Sequence, residues 1–218
     1  GASGLVGQAL THFLTTGGHT VLPLVRRRER AVGGAIHWNP RTGEMDAEAL
    51  ARADAVVHLA GASIAGGRWT DDRKKVIRES RVQGTDLLCR TLAAMGSDAP
   101  RVLVSGSATG YYGNRGDERL DESAGPGAGF LAEVVKVWEA ATSPAERAGI
   151  RVVRLRTGVV ISPAGGALGQ MLLPFKMGVG GRLGSGRQYF SWVDLDDLVA
   201  AIVHALYEPT LQGPVNAT

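Results

Sequence analysis

Apolar strand-like runs alternate with helix-patterned runs along most of this chain, and that order leaves few folds open. Leu5, Ala9, Phe13 and Leu14 recur at helical spacing and predict a helix over residues 4–16, stopped by Gly17 and Gly18. Residues 20–25 and 35–38 then read as strands, the second ended by Asn39 and Pro40. A short helix is expected over 46–51, a strand over 55–59, a long helix over 70–95 and a strand over 101–105. Residues 106–128 are rich in glycine and predict a long loop, and long loops in compact domains are often functional. A helix from 130 toward 148, interrupted by Pro144, precedes a strand over 151–161. A glycine-rich stretch over 162–188 surrounds one short helix near 168–177. A strand over 189–193, a helix over 194–207 and a strand starting near 214 complete the order. Such alternation requires parallel β-α-β units, because parallel strands need a crossover between them. The expected class is α/β, a doubly wound parallel sheet, with a small irregular lobe after residue 160.

The first seven residues add chemistry to this frame. Gly1, Gly4 and Gly7 stand three apart, immediately before the first helix. In a Rossmann-type fold the first such glycine turns the chain off a strand and the second lets backbone amides approach a pyrophosphate. The third packs the helix closely on the sheet, and the helix N-terminus favours the phosphates. Leu5 and Val6, between these glycines, therefore belong to the candidate cofactor site. The end of the next strand selects the cofactor, since an NAD site places an acid there for the ribose hydroxyls. Here Val25 takes that position and Arg26 and Arg27 follow, two guanidinium groups suited to a phosphate dianion. The expected cofactor is NADP. A solvated turn is the competing account of the cluster Arg26, Arg27, Arg28 and Arg30. The strand that should feed the glycine turn is absent, and the sequence opens without an initiator methionine. Both ends are expected to be cuts in a longer chain.

Composition bounds the remaining classes. The 218 residues carry a net charge of +3, with 44% hydrophobic and 21% charged residues, which suits a globular domain. No apolar run reaches the roughly 18–20 residues a membrane span needs. The charge is too mild, and too poor in interleaved aromatics, for a nucleic-acid binder. Cys89 is the only cysteine, so no internal disulfide forms, and a reducing, cytoplasmic setting is expected. The five histidines show no ligand spacing, and His58 in an apolar strand reads as a satisfied core residue. Asp194, Asp196 and Asp197 read as a helix start and not as a metal site, so no metal is expected.

Several runs together resemble a known family. They are residues 1–7, Val56–Gly61, Ser80–Thr85, Leu155–Val160 and Gly184–Leu198, the last reading Gly-Ser-Gly-Arg-Gln-Tyr-Phe-Ser-Trp-Val-Asp-Leu-Asp-Asp-Leu. These are similar to extended short-chain dehydrogenases/reductases, and within them to the atypical epimerase-family branch, often described as NAD-dependent epimerase/dehydratases or nucleoside-diphosphate-sugar epimerases. The resemblance covers essentially the whole chain. It implies an NADP-binding Rossmann domain over residues 1–160, its first strand missing, and a partial substrate lobe over 161–218 interleaved with the last Rossmann elements. It places Leu59, Ala60 and Gly61 beside the adenosine and ribose, Arg81 near the cofactor where relatives carry Asn, and Val160 near the nicotinamide. Plainer readings compete: a buried strand and turn for 56–61, and a surface helix charge for Arg81.

Active members of that superfamily use a Ser or Thr, a Tyr and a Lys four residues after the Tyr. The four tyrosines here, Tyr111, Tyr112, Tyr189 and Tyr207, are followed at that distance by Arg115, Gly116, Val193 and Leu211. Tyr-x-x-x-Lys is therefore lacking. On the matching helix Phe130 stands at the Tyr position and Val134 at the Lys position, and with Trp138 they form an apolar face. Ser107 aligns with the catalytic serine, with a loop serine serving local backbone as the alternative. Tyr112, beside Tyr111 in the same loop, is the main substitute for the lost acid, and Glu133 and Lys136 are further candidates. Phe190 stands where sugar-nucleotide epimerases carry a diphosphate-binding Arg, which disfavours that substrate although Arg187 is nearby. The function expected is an NADP-dependent oxidoreductase or epimerase acting on an unknown small molecule. The alternative is a non-catalytic NADP-binding sensor or scaffold.

Overall fold

A computed structural model describes residues 1–182 and 184–218, so Leu183, within the glycine-rich stretch, lies outside the described residues. In chain order the elements begin with α1 (Leu5–Thr16), β1 (Leu24–Val25), β2 (Ile36–Asn39), β3 (Glu44–Met45), α2 (Ala47–Leu50), β4 (Ala55–His58) and α3 (Asp71–Ala94). They continue with β5 (Val102–Ala108), α4 (Phe130–Ala140), α5 (Ser143–Arg147), β6 (Arg151–Thr157) and β7 (Val159–Ser162). The last are α6 (Gly166–Lys176), β8 (Trp192–Asp194), α7 (Leu195–Tyr207) and β9 (Gly213–Ala217). A parallel sheet in the order β4-β5-β6-β9 forms the centre. Beside it, β1 and β2 pair in parallel and β3 returns antiparallel to β2.

The central strands are buried on both faces, as the parallel pattern demands. Val102 and Val104 of β5 and Val153 and Leu155 of β6 face a core shared with Leu10 of α1 and Leu198, Val199, Ile202 and Ala205 of α7. Leu103 and Val152, one residue out of phase, face the other core, with Leu88, Cys89 and Leu92 of α3 and Ala145 of α5. The period of two thus sends alternate side chains into two layers of helix. Each fully buried Leu or Ile contributes about 1.5–3 kcal/mol relative to exposure.

Differences from the sequence reading have identifiable physical causes. The first strand is only Leu24–Val25, not 20–25, because Pro23 has no N–H for the ladder. Residues Glu44–Met45 form a short strand that sequence reading missed, reached through Gly43 at φ 72°. The run 151–161 is two strands, split at Gly158, where a Cβ would stand 2.9 Å from the Trp192 amide nitrogen. Beyond that pivot β7 leaves the central sheet and pairs with β8. Finally, β8 starts at Trp192, since Tyr189 and Phe190 are exposed and carry no ladder pairing. No helix among the described residues is long and apolar enough to cross a membrane.

Candidate cofactor and active site

The glycine turn is closed against the end of β4. A Cβ on Gly1 would lie 2.6 Å from the carbonyl carbon of Leu59, and one on Gly7 only 2.1 Å from the Gly1 oxygen. Neither position has room for a side chain. Gly4 differs: a Cβ there would meet only the Gly1 oxygen, at 3.4 Å. Gly4 is also the N-cap of α1 and offers no side-chain cap, so the first-turn amides are not covered by one. Leu5 packs toward the Gly165–Gly166 turn and Val6 toward the core.

Of the other residues expected around a cofactor, Leu59 lies against this turn. Arg26 and Arg27 are exposed directly after β1. Leu59 and Ala60 are half-buried and Gly61 exposed. Arg81 crosses Gly61, where a Cβ would lie 3.1 Å from the guanidinium carbon. Its Nη1 donates to the carbonyls of Ala62 and Ile77, both at 3.0 Å, and the group stacks 5.2 Å from the Trp138 ring. Arg81 therefore fastens the loop after β4 to α3; burial, then the charge of Arg73, lowers its pKa. Val160 lies in β7, half-buried against the α1–α7 core.

His58 is buried under the same loop, with Nε2 3.1 Å from Thr85 Oγ1, which also accepts from Trp138 Nε1 at 3.0 Å. Burial takes its pKa down to about 3, so the ring is neutral. Asp194 caps α7, accepting from the Asp196 amide at 2.8 Å.

Ser107 and Tyr112 come together at the carboxyl end of the central sheet, through residues that sequence reading did not single out. Ser107 Oγ donates to Glu139 Oε1 at 2.6 Å. Glu139 forms a two-pronged ion pair with Arg156, Nε to Oε1 at 2.8 Å and Nη2 to Oε2 at 2.9 Å. Arg156 Nη1 donates to the Tyr112 hydroxyl at 2.9 Å, and that hydroxyl donates to Asn216 Oδ1 at 2.7 Å. The Tyr111 ring lies 3.6 Å from the Arg156 guanidinium. Burial opposes the charge on Arg156, but the hydrogen bonds with Glu139 and Tyr112 prevail and raise its pKa, so it stays cationic. Glu139 had a readable signal, since Ala132, Val135 and Glu139 fall on one buried face of α4. Glu133 and Lys136 are exposed on the other side, away from Ser107. Val134 and Trp138 are buried, and Phe130 packs 5.4 Å from Trp69, so the apolar face of α4 is present.

Comparison with known proteins identifies the family and the fold. The sequence profile of the NAD dependent epimerase/dehydratase family matches residues 1–216. Epimerase family protein Mb2239 of Mycobacterium bovis is 49% identical over 218 residues, 100% of this chain and 71% of that protein. A crystal structure of a nucleoside-diphosphate sugar epimerase from Corynebacterium glutamicum superposes with a TM-score of 0.85 at 41% identity, over 99% of this chain but 44% of that one. Human epimerase family protein SDR39U1, isoform 2, solved with NADPH, gives a TM-score of 0.83 at 31% identity, over 100% of this chain and 72% of its own. The fold, the glycine turn and the matched sequence agree, and the chain belongs to the NAD dependent epimerase/dehydratase family.

Proposed function

We propose that the crevice at the glycine turn holds NADP(H) and that the holoprotein is an oxidoreductase or epimerase acting on a carbonyl or alcohol group of a small molecule. The observation that carries the cofactor is the end of β1: Val25 stands where an acid is expected, and Arg26 and Arg27 follow it exposed. The NADPH bound to the human relative supports the same choice. Gly1, Gly4, Leu5, Val6 and Gly7 would hold the pyrophosphate, and Leu59, Ala60 and Gly61 the adenosine side, with Arg81 fixing their loop. Val160 would stand toward the nicotinamide. The bound cofactor supplies hydride. Ser107 and Tyr112 are proposed to orient the reacting oxygen and move its proton. Residues 1–160 are assigned to the cofactor domain and residues 161–218 to a partial substrate lobe interleaved with the last Rossmann elements, α7 and β9. With Cys89 as its single cysteine the chain forms no internal disulfide, which fits the proposed reducing compartment such as the cytoplasm.

In a competition titration 2′,5′-ADP should displace NADPH, and the Arg26→Ala/Arg27→Ala double variant should lose that preference over 5′-ADP. Equal displacement by the two nucleotides would remove the assignment. A second reading, a cofactor-binding protein without turnover, is favoured by one observation. Ser107 and Tyr112 are 6% and 5% exposed, with both hydroxyls engaged inside the protein. Transfer of deuterium from 4-deuterated NADPH to a panel of aldehydes and ketones separates the two: label in any product establishes catalysis, and none with cofactor bound establishes the second reading.

A further inference from the structure

We propose that the buried Arg156–Glu139 pair is the positioning element of this active site, setting the Ser107 and Tyr112 hydroxyls in place of a helix-borne tyrosine and lysine. The inference rests on the catalytic reading above. Its ground is the register of the sheet. Ser107 of β5 pairs with Arg156 of β6, and Arg156 with Asn216 of β9, so the three stand in one row. Side chains in such a row share a face, and here they share it with Glu139 from α4. The row lies one residue from the carboxyl end of all three strands, the rim at which open α/β sheets hold ligands.

Arg156 uses its fork fully. Two nitrogens hold Glu139, and the third donates to the Tyr112 hydroxyl and, at 3.4 Å, to the Glu122 carbonyl of the loop above. The Glu122 carboxylate in turn accepts the Asn216 amide at 2.7 Å. Glu139 accepts the hydrogen bond of the Ser107 hydroxyl, which leaves the Ser107 lone pairs as the group a ligand would meet. A lysine has no planar fork and cannot make this set of contacts. Buried ion pairs add little net stability compared with apolar residues of similar volume, so what this pair supplies is position.

That comparison gives the test. The single variant Arg156→Met strands a buried carboxylate and is expected to fold poorly, so the decisive variant is Arg156→Met with Glu139→Leu. Its melting temperature, NADPH dissociation constant and kcat and KM for a carbonyl compound reduced by the wild type are compared with those of the wild type. The expected result is a kcat lowered at least 100-fold, with KM and the NADPH dissociation constant within about threefold and the fold intact; Arg156→Lys should give no rescue. Undiminished kcat in the folded double variant overturns the positioning role and leaves the catalytic reading standing. A wild type that binds NADPH but reduces nothing in the panel overturns the catalytic reading, and the role of the pair with it. If the double variant does not fold, hydrogen exchange in Glu139→Gln decides: the Asn216 and Gly127 amides should exchange at least tenfold faster, and unchanged exchange overturns the proposal.

Discussion

At the scale of single residues, the three glycines of the turn do different work. Gly1 and Gly7 are required by the protein's own packing, whereas Gly4 borders open space. Gly7→Ala should therefore cost about 1–3 kcal/mol of stability, the usual range for overpacking. Gly4 has φ −81°, which alanine adopts freely, so Gly4→Ala should keep its stability within about 0.5 kcal/mol. It should nevertheless weaken NADPH binding at least tenfold, because the methyl group would occupy the side from which the pyrophosphate is proposed to approach. Equal binding by Gly4→Ala and wild type, measured by fluorescence titration, would contradict the site. His58 carries a pH prediction of definite sign. Its folded pKa is about 3, below the unfolded value near 6.5. Between those values only the unfolded chain takes up the proton, so this contribution to stability is complete above pH 6.5 and falls with pH until about 3. From pH 7 to 5 the loss should be about 2 kcal/mol, and His58→Gln should lack it. Parallel pH dependence of the two proteins in urea unfolding would argue against a neutral buried ring.

At the scale of elements, the ends of α7 show how the chain satisfies its backbone. Asp194 caps the N-terminus. At the C-terminus Arg151, on β6, donates to the carbonyls of Ala205 and Leu206 at 2.8 Å and of Leu211 at 2.9 Å. A charged donor on helix-end carbonyls also complements the helix dipole. Arg151→Ala should lower stability by about 2–3 kcal/mol, as for hydrogen bonds to a charged group, without changing cofactor affinity. A melting temperature equal to that of the wild type would contradict this. Long elements were legible from periodicity alone. The sequence reading placed α1, α3 and α7 to within a residue or two, because each carries several turns of apolar spacing and a readable cap or stop. Short elements were not. A two-residue strand such as β3 has no period to read, and the break at Gly158 depends on the approach of Ser191 and Trp192, more than thirty residues away in sequence.

At the scale of the whole molecule, the residues proposed for the cofactor carry local sequence signals and those proposed for the chemistry do so only in part. The glycine turn directly precedes α1, and Arg26 and Arg27 directly follow β1. Ser107 and Tyr112 were also found locally. Their partners Glu139, Arg156 and Asn216 lie on three further elements and meet only through sheet register, which no local spacing encodes. The lone carboxylate on the buried face of α4 was the one visible trace of that network. At the end of β1 Val25 stands where an acid would, and Arg26 and Arg27 follow it; that end is proposed to select a 2′-phosphorylated cofactor. Paired fluorescence titrations of the protein with NADPH and NADH at one salt concentration test it most directly. NADPH should bind at least tenfold more tightly; equal dissociation constants would contradict the account.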